Sequence, residues 1–365
     1  MYSVVGLIST NYATEGLGVL TNERTVASLP FGGRYRLIDF PLSNMVGAGI
    51  KTVGLITPYK YRSIIDHIGS GKPWALDRKS GGLYILPGSV FGISSAESRF
   101  ILRDIERNKA FLERSAADYV VVTAANTVSR IDFADLVEKH SASGADMTLV
   151  CRRAAAAEPF MDALDIRDGR VAGVRKGAEK GDAMFLDCFV VNRELMEKIL
   201  EWYKAINHLD LFEVLAADYD KMDVRPYEFD GYVGPIFTTD QYYDVSMELL
   251  KPTVREELFA ADRPVLTKSH DRVPVKYVEG ARVSNSLIQA GSRISGTVEN
   301  SIVSSEVVIE AGARVKNCII LQDCHICAGA AVENAIIDRA NVIAAGAVIR
   351  GAKGDPFIFS KSSGK

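Results

Sequence analysis

Long apolar runs are missing from this chain. No stretch approaches the ~18 residues of a membrane-spanning helix, so no membrane embedding is expected. The N-terminal MYSVVGLIST carries no basic residue and only a short apolar run. No secretory leader is read there, and the expected compartment is cytoplasmic. A surplus of either charge is missing too: 43 basic against 46 acidic residues leave a net charge of −3. Nucleic-acid binders show a basic surplus, so no nucleic-acid partner is expected, while local basic patches stay open. Cysteine is scarce and odd in number. Cys151, Cys188, Cys318, Cys324 and Cys327, in a long chain with no leader, are expected as reduced thiols rather than disulfides.

What is present is ordinary globular composition, 47% hydrophobic and 24% charged. The 365 residues suffice for two domains at roughly 100–200 residues each. Up to about residue 250, short apolar runs alternate with amphipathic segments. Ser3–Ser9, Thr52–Thr57, Tyr119–Thr123, Asp146–Cys151 and Met184–Val191 read as strands buried on both faces. Glu97–Arg114, Phe133–Ser143 and Arg193–Ile206 read as helices, with Asp132 placed to cap the second. This alternation predicts an α/β, Rossmann-like domain with a mostly parallel sheet. Ligands of such sheets bind at the carboxyl ends of the strands.

After Lys251 the texture changes. The tetrapeptides NSLI (Asn285–Ile288), NSIV (Asn300–Val303), NCII (Asn317–Ile320) and NAII (Asn334–Ile337) recur at spacings of 15, 17 and 17 residues. Apolar residues fall six apart: Ile288 and Ile294; Val303, Ile309 and Val315; Ile320, Ile326 and Val332; Ile336, Val342 and Val348. A six-residue period is neither helical nor that of a simple strand. It is the period of hexapeptide repeats, in which three hexads close one turn of a parallel β-coil and stack apolar residues inside. Gly291, Gly312, Gly329 and Gly346 are placed at the turns, where glycine takes a positive φ cheaply. The expected domains are residues 1–250, a polar linker over 251–275 with Pro252, Pro264 and Pro274, and a left-handed β-helix over 276–365.

The first strand is followed by the loop Thr10–Gly18, TNYATEGLG, and soon after by Pro30–Asn44, PFGGRYRLIDFPLSN. In a nucleotide-binding α/β domain that first loop holds phosphate through glycine amides. Here the glycines and the basic residue this requires are gone. Several stretches resemble the ADP-glucose pyrophosphorylase (glucose-1-phosphate adenylyltransferase) family: Phe31–Asn44, Gly49–Thr57, His67–Arg78, Gly81–Pro87 and Asp240–Leu250. The chain is most similar to the short GlgD-type glycogen biosynthesis subunits, which are thought to pair with a catalytic partner and tune it.

The resemblance implies adenylyl transfer from ATP to a sugar phosphate. That reaction needs a held triphosphate and neutralisation of developing charge. The family's GGxGxR loop falls on Asn11, Tyr12, Ala13, Thr14, Glu15 and Gly16, and a lysine expected after Arg24 falls on Val26. Mg²⁺ asks for carboxylates. One of the family's metal aspartates falls on Asn126 and the other on Pro235, with Asp230 and Asp240 as the nearby carboxylates if the correspondence shifts. In the sugar pocket Phe185 and Asp187 stand where Ser and Gly are expected, and bulk and charge there oppose a sugar phosphate. Lys176 matches a phosphate-binding lysine but is followed by Gly177, and Ala96–Phe100 replaces a small acidic stretch of the nucleotide pocket. No catalytic, cofactor or metal residue is therefore assigned, and ATP and Mg²⁺ binding are expected to be lost or weak.

Positive charge is retained instead. Arg24, Arg34 and Arg36 surround the FGG turn, where the family binds anionic sugar-phosphate or phosphate effectors, and arginine's fork suits such ligands. One family effector lysine falls on Glu23, and a glutamine coupling effector to catalysis falls on Pro58. Cys324-His325-Ile326-Cys327 looks like a CxxC element but has no second pair at zinc spacing, so packing within a coil is expected. The reading that follows is a non-catalytic regulatory subunit, paired with a catalytic ADP-glucose pyrophosphorylase chain in a heterotetramer. The alternatives are an active nucleotidyltransferase with an altered metal site, and a stand-alone sugar-phosphate sensor.

Overall fold

The computed structural model describes residues 2–12, 15–57, 60–89, 98–269 and 271–360. The five expected strands form at Val4–Ser9, Thr52–Thr57, Tyr119–Ala124, Met147–Arg153 and Ala183–Asn192. Their Val- and Ile-rich runs are buried on both faces, as strands between two helical layers must be. Among the described residues they belong to a nine-stranded sheet, which Gly82–Pro87, Ala163–Arg167, Arg170–Arg175 and Val224–Glu228 complete. The sheet is parallel through Tyr119–Ala124, Val4–Ser9, Thr52–Thr57 and Gly82–Pro87. Ala183–Asn192 joins it antiparallel to Tyr119–Ala124 and leads into the second half. The first strand lies between the second and the central strand Tyr119–Ala124, so strand order reverses beside it. That reversal opens a crevice at the carboxyl ends.

Asp132 does cap Phe133–Ser143, accepting from the amides of Ala134 and Asp135. The helix expected over Glu97–Arg114 is two helices, Leu102–Arg107 and Lys109–Ser115; Glu97 lies outside the described residues. Asn108 causes the break. Its side-chain amide donates to the Asp104 carbonyl, which its own backbone would use, and the backbone N–H turns to Ile105. The third helix ends at Trp202, and a 3-10 turn covers Lys204–Ile206. Among the described residues no helix is long and apolar enough to cross a membrane.

From Lys276 onward the chain winds as a left-handed parallel β-helix whose coils pair in register, for example Ile294 on Ile309 on Ile326 on Ile343. Each coil has three corners, and most of them use a left-handed backbone. Gly312, Gly329 and Gly346 stack at one, and all four glycines expected at turns, Gly291 included, take a positive φ. Gly291, Glu306, Asp323 and Ala340 form another. Asn285, Asn300, Asn317 and Asn334, the first residues of the repeated tetrapeptides, form the third, with φ between 41° and 50°. Their side-chain amides make a ladder: each of the first three donates to the Asn one coil on, at 2.7–2.9 Å, and Asn334 donates to the Gly351 carbonyl. Asparagine tolerates this backbone better than other side chains and satisfies its amide on the next coil.

The tetrapeptide's two apolar residues divide between two cores. Its last residue points inward, as Val303, Ile320 and Ile337 do. Its third points outward, and Ile302, Ile319 and Ile336 are buried in the same core as the N-terminal domain. This corrects the last expected hexad row. The interior there holds Ile337, Ile343 and Ile349, while Val342 and Val348 are exposed. A coil of 17 residues contains two hexads and one five-residue step, and a slip of one residue on a strand reverses the face. Residues 251–275 are not plain linker. Pro252–Leu258 is a helix with Val254 and Leu258 buried, and the Leu266 amide donates to Ser43 Oγ.

Candidate functional site

At the crevice beside the first strand the chain is tied down by its own hydrogen bonds. The polypeptide leaves Ser9 and is fixed at once: Thr10 donates through N and Oγ1 to the Ile56 carbonyl, and Asn11 Nδ2 donates to Asp104 at 2.5 Å. Tyr12 then turns inward across the switch point. Its hydroxyl accepts from the Ala125 amide at 3.1 Å and lies 3.5 Å from Asn126 Oδ1. Burial raises its pKa, so it stays a neutral phenol. Of the remaining loop positions, Ala13 and Thr14 lie outside the described residues. Gly16, the expected arginine position, packs against Phe237; a Cβ there would sit 2.6 Å from the Phe237 carbonyl oxygen.

The two expected metal positions meet in space. Val233–Pro235 pairs antiparallel with Thr127–Ser129, placing Pro235 opposite Thr127, and the Ile236 amide donates to the Asn126 carbonyl at 2.8 Å. The correspondence thus brings both positions to one spot, and that spot offers an amide and a proline ring instead of carboxylates. Asp230 and Asp240 are both exposed, on either side of it. A buried carboxylate does stand nearby. Asp187, with φ of 49°, occupies the left-handed position that suits a glycine. Its Oδ2 lies 3.3 Å from Arg99 Nε, both side chains being at most 7% exposed. Burial, against the pull of Arg99, raises the Asp187 carboxyl to about 6. Arg99 also donates to the Phe160 carbonyl and lies over the Phe237 ring, 4.6 Å from its centroid. The negative charge expected to oppose a sugar phosphate is therefore matched internally. Phe185 is in the core, packed on Phe212. Lys176 reaches Asp162 at 3.4 Å. Of Ala96–Phe100, residues 96 and 97 lie outside the described residues; the Arg99 and Phe100 amides are held by buried Asp210. Among the described residues, Tyr12 stands at a matched phosphate-loop position, and the two matched metal positions, Asn126 and Pro235, carry no carboxylate.

A second site lies at the seam between the domains. Pro30–Phe31 and Tyr35–Arg36 form a hairpin whose turn, Gly32-Gly33, has φ of 58° and 74°. The turn rests on the β-helix: Gln289 donates to the Gly32 carbonyl, and a Cβ on Gly33 would meet Gln289 at 2.8 Å. Arg24, Arg34 and Arg36 line one cavity here, of about 80 Å³. They are joined by residues that sequence reasoning missed, Lys268, Arg272 and Arg339, so six of the described lining residues are Arg or Lys and none is acidic. No local pattern announces these three; they arrive from hundreds of residues away, and only the fold assembles them.

The partners of each cation differ. Arg24 is buried and grips Asp338 of the β-helix with Nη2, at 2.5 and 2.7 Å. Arg36 donates from Nη1 to the Ser63 carbonyl and hydroxyl, while its amide donates to Asp39, which in turn holds His67 Nε2 at 2.6 Å. Arg34 is exposed and lies beside the Tyr35 ring. Burial lowers the Arg36 guanidinium to about 10; Asp39 opposes this, and Arg339 and Arg24 add to it. Cations that raise one another's energy leave a place for an anion. Three buried donors lining the cavity, Arg24 Nε, Arg339 Nε and Ser304 Oγ, have no hydrogen-bond partner among the described residues. The volume admits one phosphate-sized group. Whole small-molecule ligands usually need about 300 Å³ or more. Pro58 lies outside the described residues.

Comparison with known proteins agrees with both halves of the chain. The family described as nucleotidyl transferase matches residues 16–160, and the GlmU-like C-terminal hexapeptide family matches residues 273–355. The glycogen biosynthesis protein GlgD of Bacillus subtilis (strain 168) is 30% identical over 312 residues, covering 86% of this chain and 82% of that protein. GlgD of Geobacillus stearothermophilus is 33% identical over 312 residues, with the same shares. The glucose-1-phosphate adenylyltransferase of Thermotoga neapolitana is 32% identical over 325 residues, covering 86% of this chain and 77% of that enzyme. With both kinds of relative aligned along most of its length, the chain belongs to the nucleotidyltransferase family of glucose-1-phosphate adenylyltransferases and GlgD glycogen biosynthesis proteins.

Proposed function

We propose that this chain is a non-catalytic regulatory subunit of glucose-1-phosphate adenylyltransferase in glycogen biosynthesis. It pairs with a catalytic paralogue in a heterotetramer and responds to a phosphate or sugar-phosphate anion at Arg24, Arg34 and Arg36. The observation that carries the reading is Tyr12 seated at the switch point on the Ala125 amide, where the family's ligand would enter. Asn126 and Pro235 in place of carboxylates support it, as does the Arg99–Asp187 pair within the sugar pocket. Losing catalysis while keeping a basic seam suits a chain whose task is to favour one state of a partner. Such a chain must contact the partner's active and inactive states differently.

Restoring the family's loop meets a steric obstacle. An arginine at Gly16 meets the Phe237 carbonyl, and Tyr12 has to vacate the crevice. Calorimetric titration separates this reading from an active enzyme with a rebuilt metal site. The reading predicts no metal-dependent heat from Mg²⁺-ATP and saturable heat from inorganic phosphate. Metal-dependent ATP binding refutes it. Phosphate binding without association to any catalytic chain leaves a stand-alone sensor.

A further inference from the structure

Outside these sites, the Cys324-His325-Ile326-Cys327 segment carries an arrangement that neither domain's chemistry uses. On a β-strand alternate residues face opposite ways. Cys324 and Ile326 point into the β-helix and are buried, whereas His325 and Cys327 point out together. The two cysteines are therefore not a ligand pair. The third partner comes from the coil before. Val308 pairs with His325 and Ile309 with Ile326, so Glu310 lies beside Cys327. Glu310 Oε1 is 2.8 Å from His325 Nε2, and its Oε2 accepts from the Ala328 amide at 2.7 Å. One ligand atom from each of Glu310, His325 and Cys327 lies within 4.8 Å of the other two.

We propose that Glu310, His325 and Cys327 form a binding site for a zinc-like divalent cation on the outer face of the β-helix. A tetrahedral zinc holds its ligand atoms about 3–4 Å apart, so rotation of three half-buried side chains closes them on one ion with the coils unmoved. The thiol selects a borderline-soft ion over Mg²⁺ or Ca²⁺. On binding, Cys327 forms a sulfur–metal bond and releases its proton to solvent. Carboxylate and thiolate then neutralise the dication, with the imidazole neutral. Water takes the fourth position, on the open side. Cys327 suits this role among the five cysteines. Burial pushes the thiols of Cys151, Cys188, Cys318 and Cys324 up to about 12 and withholds them from an ion.

The test is titration of the purified, reduced, metal-free full chain with Co²⁺, read by absorption. The expected result is one Co²⁺ per chain, with a thiolate-to-cobalt charge-transfer band and tetrahedral ligand-field bands, all displaced by Zn²⁺. Cys327→Ser removes the charge-transfer band and weakens zinc at least about tenfold. His325→Gln also weakens zinc while its thermal unfolding without metal matches wild type, because both side chains are on the surface. No charge-transfer band in the wild type, or a band that survives Cys327→Ser, overturns the site.

Discussion

At the scale of single residues, the chain keeps its backbone and changes the chemistry placed on it. Asp187 retains a left-handed turn that suits glycine and fills the pocket with a carboxylate tied to Arg99. The burden of that burial is measurable. Its native pKa is about 6 against an ordinary 3.8, so between those values the native state holds a proton that the unfolded chain has lost. Stability therefore falls as pH rises through that window. Relative to Asp187→Asn, the wild type should lose about 2 kcal/mol of unfolding free energy from pH 4 to pH 7. Urea unfolding of both proteins at each pH reads the difference, and a flat difference would show that Asp187 does not titrate there. Arg24 is the opposite case, a buried ion pair across the seam. Arg24→Ala leaves Asp338 buried and charged with the Arg339 amide as its remaining hydrogen-bond donor, and should cost about 3–5 kcal/mol. The double variant with Asp338→Ala should recover much of that loss in equilibrium unfolding.

At the scale of elements, the hexad period predicts the β-helix, and the strands are plain because two-sided burial leaves an unbroken apolar run. What the period does not contain is the five-residue step at one corner, which placed Val342 and Val348 inside when they face solvent. The repeated asparagine was visible; its ladder was not, because it needs coils stacked 15 to 17 residues apart. Asn317 sits mid-ladder with φ of 50°. Asn317→Ala should cost about 2 kcal/mol, from a strained corner and two lost amide contacts. Asn317→Gly should cost less, since it relieves the strain alone. Thermal unfolding ranks the two, and equal losses would deny the corner its backbone role. Asn108 teaches the same lesson in a helix: a side-chain amide that takes a main-chain carbonyl divides what the pattern reads as continuous.

At the scale of the whole molecule, the FGG hairpin is a joint. It faces the crevice domain on one side and the β-helix on the other, with Tyr242 donating to the Pro30 carbonyl and Tyr243 to the Asn317 carbonyl. The basic cavity lies in that joint, so an anion bound there ties three segments of chain together. Ligand held by the folded state alone raises its stability. Inorganic phosphate should raise the unfolding temperature of wild type and not of Arg36→Ala or Arg339→Ala, and a rise preserved in both variants would place the anion elsewhere. Arg24, Arg34 and Arg36 were legible because they are close in sequence around the FGG turn, which resembles the family. Lys268, Arg272 and Arg339 were not, because only closure of the seam brings them there.

On the proposed function, the crevice performs no adenylyl transfer and the chain acts through a catalytic partner. The most direct test is ADP-glucose synthesis by the purified chain alone, beside a complex co-expressed with the catalytic paralogue. The account predicts no turnover by the chain alone, co-purification of the two chains, and activity of the complex that responds to phosphate less when Arg36 is replaced by alanine. Synthesis of ADP-glucose by the partner-free chain would contradict it.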